Sequence, residues 1–542
     1  MNTKYLCILL VCLGFFACKE EDDFVDSPTQ LPELTAGNAD FSNFVSIGNS
    51  LTAGFTDNAL FNAGQENSIP NILSQQFANV GGGSFNQPLM NDNTGGMLAG
   101  GNRILEPRYV FNGTGPAPLE SVVGAVTITT DLAVNNPTGP FNNMGVSGAK
   151  VGHLLYDGYG NISNLGSTAN PYFIRMASSP SATILGDALS QDPSFFSLWI
   201  GNNDVLGYAL SVGESDTDAD NYNPITPTNG AIGIGFQETY EYIIETLADN
   251  AQGIVANIPY VTTIPHFTTV PYNPLDPDDS NFGSQITLLN SVFGSLNQIF
   301  TAVGATDRII EFHEDDPSAV VIKDESLTDL SSTIATGLSN SPEFTAFLET
   351  LGIPAVAAPS VANLMGAAYG QARQATSDDL LVLSSSSVIG TVNTNYYNFL
   401  VSQGLSAELA GTFAVEGITY AMDDKWVLIP SEQDEIKTAT DAFNQIISNA
   451  ASTYSLAFVD ANILMQELTN GTFVSGNFNP SSELVMGGVF SLDGVHPNSR
   501  GYALIANEFM KRIDETYESN FEASGNLVDI GDYPTNFSPT LQ

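Results

Sequence analysis

The 542-residue chain is 43% hydrophobic and 13% charged, enough apolar material for a substantial core and too little charge for a disordered polypeptide. Its 59 acidic against 14 basic residues leave a formal net charge of -45, a field that repels phosphate backbones and argues against nucleic acid as a partner. Solubility in an exposed or salty setting accounts for the acidity, which names no function. The length fits two to four domains, or one large enzyme with insertions.

Residues 1–17 read as a signal peptide. Lys4 supplies a positive start, and 5–16 is an apolar run too short to span a bilayer. The run closes on Phe15-Phe16-Ala17-Cys18, which resembles a bacterial lipobox with Phe15 where Leu is more usual. Lys19-Glu20-Glu21-Asp22-Asp23 then looks like the surface-export signal of Bacteroidetes lipoproteins. These resemblances imply lipidation at Cys18, membrane attachment through that lipid, and a surface-exposed location on the outer membrane of the cell envelope. Cys7, Cys12 and Cys18 are the only cysteines, so a chain beginning at lipidated Cys18 has no thiol for a disulfide or a metal. No later stretch reaches ~18 uncharged apolar residues, and 18–40, with Pro28, Pro32 and Gly37, reads as an acidic tether.

Residues 41–47 predict a short strand, followed at once by a Gly48-Asn49-Ser50 turn and a helix beginning around Leu51. Gly, Asn and Pro dominate 81–140, an expected insertion of loops and small strands with a β-like patch at 122–130. A buried strand is predicted at 195–200, a helix over 235–250, and a further strand at 253–259. Strands alternating with helices argue for a parallel α/β sheet. The pattern then changes. Over 271–425, helices such as 343–351 and 355–375 mix with Ser-rich loops, and Pro359 argues against one unbroken helix in the second. This stretch is expected to be a mostly helical insertion and a candidate cap. The rhythm returns with a helix at 435–451, a strand at 455–460 and a helix at 499–517. The expected organisation is a core of 41–270 and 426–520, two insertions within it, and a tail at 521–542.

Four short motifs stand in order: Gly48-Asn49-Ser50-Leu51-Thr52-Ala53-Gly54, Asn143-Met144-Gly145-Val146-Ser147-Gly148, Gly201-Asn202-Asn203-Asp204 and Asp493-Gly494-Val495-His496-Pro497. Together they resemble the four blocks of the SGNH hydrolases, also called the GDSL family, over about 41–80, 141–270 and 426–517. The resemblance implies a three-layer α/β/α sandwich, flavodoxin-like, with a mainly parallel sheet. It implies a serine esterase or lipase that cleaves carboxylic esters, of lipids or of acylated saccharides, through an acyl-serine, with no cofactor and no metal.

The chemistry fits the residues. A serine hydroxyl is a poor nucleophile until a base within hydrogen-bond reach takes its proton. A strand-to-helix turn exposes Ser50 at the carboxyl edge of the sheet, where open α/β folds bind ligands, and a helix N-terminus favours developing negative charge. His496 is the expected base, and Asp493, three residues earlier, is placed to orient the imidazole. By the resemblance, the Ser50 and Gly148 N–H groups and the Asn203 amide form the oxyanion hole. Asn49 stands where the family usually has Asp, a supporting hydrogen-bonder outside the triad.

Other histidines lack an aspartate three residues before them. His153 reads as a packing or surface residue, His266 as a neighbour of the cleft, and His313 as part of a solvated loop. Asp216, Asp218 and Asp220 alternate as in a calcium loop, but an EF-hand needs Gly at its sixth place and Glu at its twelfth, where Asn221 and Pro227 stand. That run, like Asp276-Pro277-Asp278-Asp279, reads as an acidic surface loop. The alternative to an enzyme is a non-catalytic surface binding module that keeps the fold; intact catalytic groups argue against it.

Overall fold

Five strands form one sheet in the computed structural model, which describes residues 31–213 and 223–541. They are β1 (Phe44–Gly48), β2 (Asn143–Gly145), β3 (Phe195–Trp199), β4 (Gln252–Ala256) and β5 (Ala457–Val459), in the order β5-β4-β3-β1-β2 and parallel throughout. Parallel strands are buried on both faces, so they read as continuous apolar runs. β1 and β3 follow that rule, with every residue buried. Their two polar exceptions satisfy each other: Ser46 pairs with Ser197 in register, and the Ser197 hydroxyl donates to Ser46 Oγ at 2.6 Å. Register also sets Gly48 beside both Gly145 and Trp199, so the turns after β1, β2 and β3 share one edge of the sheet.

Helices flank the sheet. Those used below are α1 (Ser50–Ala53), α2 (Ile69–Phe77), α3 (Asn202–Leu210), α4 (Phe236–Ala248), α5 (Ile286–Ala302), α6 (Ser331–Ser339), α7 (Pro342–Thr350), α8 (Ala358–Tyr369), α9 (Pro430–Thr453), α10 (Ala461–Thr469) and α11 (Ser499–Tyr517). α11 packs on α2, β4 and β5, while α9 packs on α3, α4 and the same two strands. α4 buries Phe236, Tyr240, Ile243, Ile244 and Leu247, the spacing of one helix face, and Phe236 stacks on Phe443 of α9 at 4.0 Å. Each such side chain contributes about 1.5–3 kcal/mol of burial.

Residues 270–429 gather a second core, with Phe293 and Phe300 of α5, Leu338 of α6, Phe344 of α7 and Tyr369 of α8. Two small antiparallel pairings brace it, Val321–Lys323 with Ala372–Gln374 and Leu380–Leu381 with Val427–Leu428. The helical character expected of 271–425 is therefore present. Pro359 sits in the first turn of α8, where its missing N–H costs nothing, and a separate 3-10 turn at Ala355–Ala357 precedes it.

Three expectations change. Residues 122–130 form no strand; Leu119–Val123 is a short helix, and the rest is held by side chains, with Thr129 N–H donating to Asp92 and Val126 N–H to Glu120. The strands of the 81–140 insertion lie earlier, as hairpins of Met97–Ala99 with Asn102–Leu105 and Tyr109–Phe111 with Pro116–Pro118. The 521–542 segment is anchored by its final residues: buried Arg108 donates to the carbonyls of Ser538 and Leu541, and Phe537 packs edge-on to Phe61. The leader, Cys18 and the Asp216, Asp218 and Asp220 run lie outside the described residues.

Candidate active site

β1 ends at Gly48, where a Cβ would collide with Thr52 Oγ1 and the Trp199 carbonyl, so only glycine lets the chain turn this tightly. Asn49 fixes the turn from both ends of its amide. Its Oδ1 accepts the Leu51 N–H at 3.0 Å, and its Nδ2 donates to Asn202 Oδ1 at 3.0 Å in a buried contact. Asn in place of Asp thus links the first block to the third. Ser50 opens α1, which is one turn long and closes at Gly54. So short a helix offers its first N–H groups and little macrodipole, which tempers the expectation of a helix-borne field.

Ser50, only 6% exposed, presents its Oγ 2.9 Å from His496 Nε2, and His496 Nδ1 lies 2.9 Å from Asp493 Oδ2. Asp493 is buried, yet it is held well below the usual carboxylate range. Burial opposes ionisation, but the His496 charge and ring N–H and the backbone N–H groups of Val495 and His496 outweigh it. In all, its Oδ1 accepts from Ser491 Oγ and those two backbone groups, and its Oδ2 from the ring and from Asn58 N–H. An ionised carboxylate only accepts, so the neutral imidazole carries its proton on Nδ1 and turns a bare Nε2 toward the Ser50 hydroxyl. The Phe55 ring covers the imidazole at 4.6 Å.

A second acid stands behind the first. Asp57 and Asn58 both take left-handed backbone angles, φ 51 and φ 63, which aim the Asn58 N–H at Asp493. Asp57 Oδ1 accepts the Leu492 N–H at 3.1 Å. Its carboxyl is pushed up to about 7, by burial first and then by the Asp493 charge, against the Leu492 N–H and Arg108. Nothing in the four motifs signals this support, because non-glycine left-handed residues leave no composition mark.

The expected oxyanion donors gather beside Ser50. Val146 N–H donates to Gly48 O, which brings the turn after β2 against that after β1. Gly148 is exposed and left-handed (φ 82), and neither its N–H nor that of Ser50 meets an acceptor among the described residues. Asn203, in the first turn of α3, gives one amide hydrogen to Ala149 O at 3.0 Å and retains a second. Asp204, fully buried and pushed up to about 6 by that burial, accepts the Val151 N–H and so ties α3 to the same loop.

The remaining histidines separate from the site. His153 accepts the Lys150 N–H on Nδ1, stacks on Tyr159 at 4.6 Å and is pushed down to about 4 by burial and Lys150. His266 donates its backbone N–H to Gly494 O, and its ring is held below the ordinary histidine value by burial, against the Asp493 charge and a hydrogen bond to the Asp493 backbone. It buttresses the Asp493 loop and does not line the pocket. His313 is exposed.

Beside Ser50 and His496 opens an apolar pocket of about 100 Å³, walled by Leu206, Val261, Ile264, Leu464, Met465 and Leu504 among others. None of its lining residues comes from 271–425; the walls belong to the first core, in part to α10, which the sequence does not announce. No protein-family model, no curated protein and no solved structure matches this chain. The arrangement can transfer the Ser50 proton to His496, hold the imidazolium against Asp493, and receive an apolar group alongside. Asp493, with both oxygens taken by donors, has none to spare for a metal.

Proposed function

We propose that this chain is a carboxylic ester hydrolase of the SGNH/GDSL type, on that family's three-layer α/β/α sandwich, acting through an acyl-serine. The observation that carries this reading is the relay from Ser50 Oγ to His496 to Asp493, with both steps at 2.9 Å and acid and base on one short loop. Ser50 Oγ attacks the ester carbonyl carbon while His496 Nε2 takes its proton. The carbonyl oxygen becomes an oxyanion held by the Ser50 and Gly148 N–H groups and the Asn203 amide. Collapse breaks the bond to the alcohol oxygen, which leaves with the proton from His496. Water then enters by the same route in reverse roles: His496 takes its proton, hydroxide adds to the acyl carbon, and the acid departs as Ser50 regains its hydrogen. No metal or organic cofactor is called for.

The apolar pocket favours an acyl chain over acetyl, since a methyl group has no use for so many aliphatic walls. Lipid acyl esters therefore fit better than O-acetylated glycans. A location in the cell envelope, tethered by lipidated Cys18, rests on the sequence of the leader. A binding module that keeps the fold would have no need of a relay with every proton partner in place.

The test is a panel of p-nitrophenyl esters, from acetyl through octanoyl to lauroyl, on the wild type and Ser50→Ala. The wild type should prefer a chain longer than acetyl, and the variant should lose at least ~1,000-fold in kcat. A fluorophosphonate probe should label Ser50. Equal rates for the two proteins would refute the esterase reading.

A further inference from the structure

Three carboxylates meet where the second core joins the first. Glu325 follows the strand Val321–Lys323, Asp424 opens the turn Asp424–Trp426, and Glu432 stands in the first turn of α9. One oxygen from each lies within 4.8 Å of the others. Acidic side chains on a surface gather so without consequence, because water solvates them. Glu432 differs. It is 5% exposed; its Oε2 caps α9 by accepting the Ile429 N–H at 2.9 Å, and its Oε1 has no hydrogen-bond partner among the described residues.

The surroundings close this oxygen off further. Gly213 lies against it so closely that a Cβ there would overlap Glu432 Oε1, and this backbone belongs to the segment leading out of α3. Its charged neighbours include the acids Asp424, Glu325 and Glu435. A buried carboxylate oxygen that no donor satisfies is costly, and a bound cation removes that cost.

We propose that Glu325, Asp424 and Glu432 bind a hard divalent cation, Ca2+ foremost, which fastens the second core to the first. The ligand set is oxygen only, which suits Ca2+ or Mg2+ and not the softer metals that prefer histidine and cysteine. Three carboxylates from the protein suit Ca2+, whereas Mg2+ is usually held by one or two and keeps several waters. Water completes a Ca2+ shell of about six to eight oxygens. Because the ligands come from both cores, the ion would lock 270–429 onto α9. The four sequence motifs predict no metal, and this site lies outside all of them.

The experiment uses the full chain, stripped with EDTA and titrated with CaCl2 and then MgCl2, read by calorimetry and by thermal unfolding. In the wild type, Ca2+ should bind and raise Tm, and Mg2+ should bind more weakly. Glu432→Gln keeps an oxygen for the Ile429 N–H, so it should fold, yet it should weaken Ca2+ at least tenfold and abolish the rise in Tm. Asp424→Asn should do the same. Calcium binding that both variants leave intact would overturn the proposal, since the ion would then sit elsewhere. No change in wild-type Tm at roughly 10 mM Ca2+, above the range of weak extracellular sites, would overturn it too, a proton being the group's partner.

Discussion

The first core gathers around β1 to β5, and the parallel register brings the ends of several strands to one edge. The second, between 270 and 429, gathers helices around Phe293 and Phe300, with only two short antiparallel pairings. Both bury aliphatic and aromatic side chains completely, so packing does not distinguish them. What differs is the direction of their chain ends. Parallel strands deliver one turn after another to a single place, and Ser50, Gly148 and Asn203 arrive on three such turns. Helices joined by short loops scatter theirs. Side chains able to do chemistry therefore collect at the sheet edge, and the second core offers them no such meeting point.

Four substitutions test that contrast, in order of their effect on turnover. Asp493→Asn should lower kcat by about 1,000–10,000-fold, since an amide neither fixes the His496 tautomer nor stabilises the imidazolium. Steady-state kinetics on an octanoyl ester checks this, and a loss under tenfold would break the assignment. Asn203→Ala should cost about 100–1,000-fold in kcat, or ~2.7–4 kcal/mol, with KM little changed. Leu464→Trp should fill the pocket, lowering kcat/KM for octanoyl about tenfold while acetyl stays within about twofold, because a filled pocket loses only what the longer chain had gained. Phe293→Ala should reverse the balance. Urea unfolding should report a loss of about 3–5 kcal/mol, while kcat/KM at 25 °C stays within about twofold. A large fall in turnover from this last change would mean that the second core shapes the site after all.

Much of the site was legible because turn chemistry is local. Gly48, Asn49 and Ser50 after an apolar run, or Gly201 to Asp204 after another, announce themselves within a few residues. The final helix is predicted over 499–517 and observed over Ser499–Tyr517, capped by Asn498. Other features were not legible. β2 is three residues long and reads Asn-Met-Gly, with no alternation to betray an edge strand. The run at 122–130 has strand-forming residues but finds no partner strand, so propensity yields to the side-chain acceptors of Asp92 and Glu120. The pocket walls come from α3, α10 and α11, and which of these face one another is a long-range property that no short motif carries. The cluster around Glu432 has no motif either, because Glu325 lies 99 positions before Asp424.

Ser50 and His496 lie 446 positions apart, and no local segment holds either against the other. Helices can form, and the second core can collapse, before that loop closes. Turnover is therefore a gauge of complete assembly. During refolding, ellipticity should recover ahead of ester cleavage, and a chain that has regained its helices will still be silent until its two ends have met.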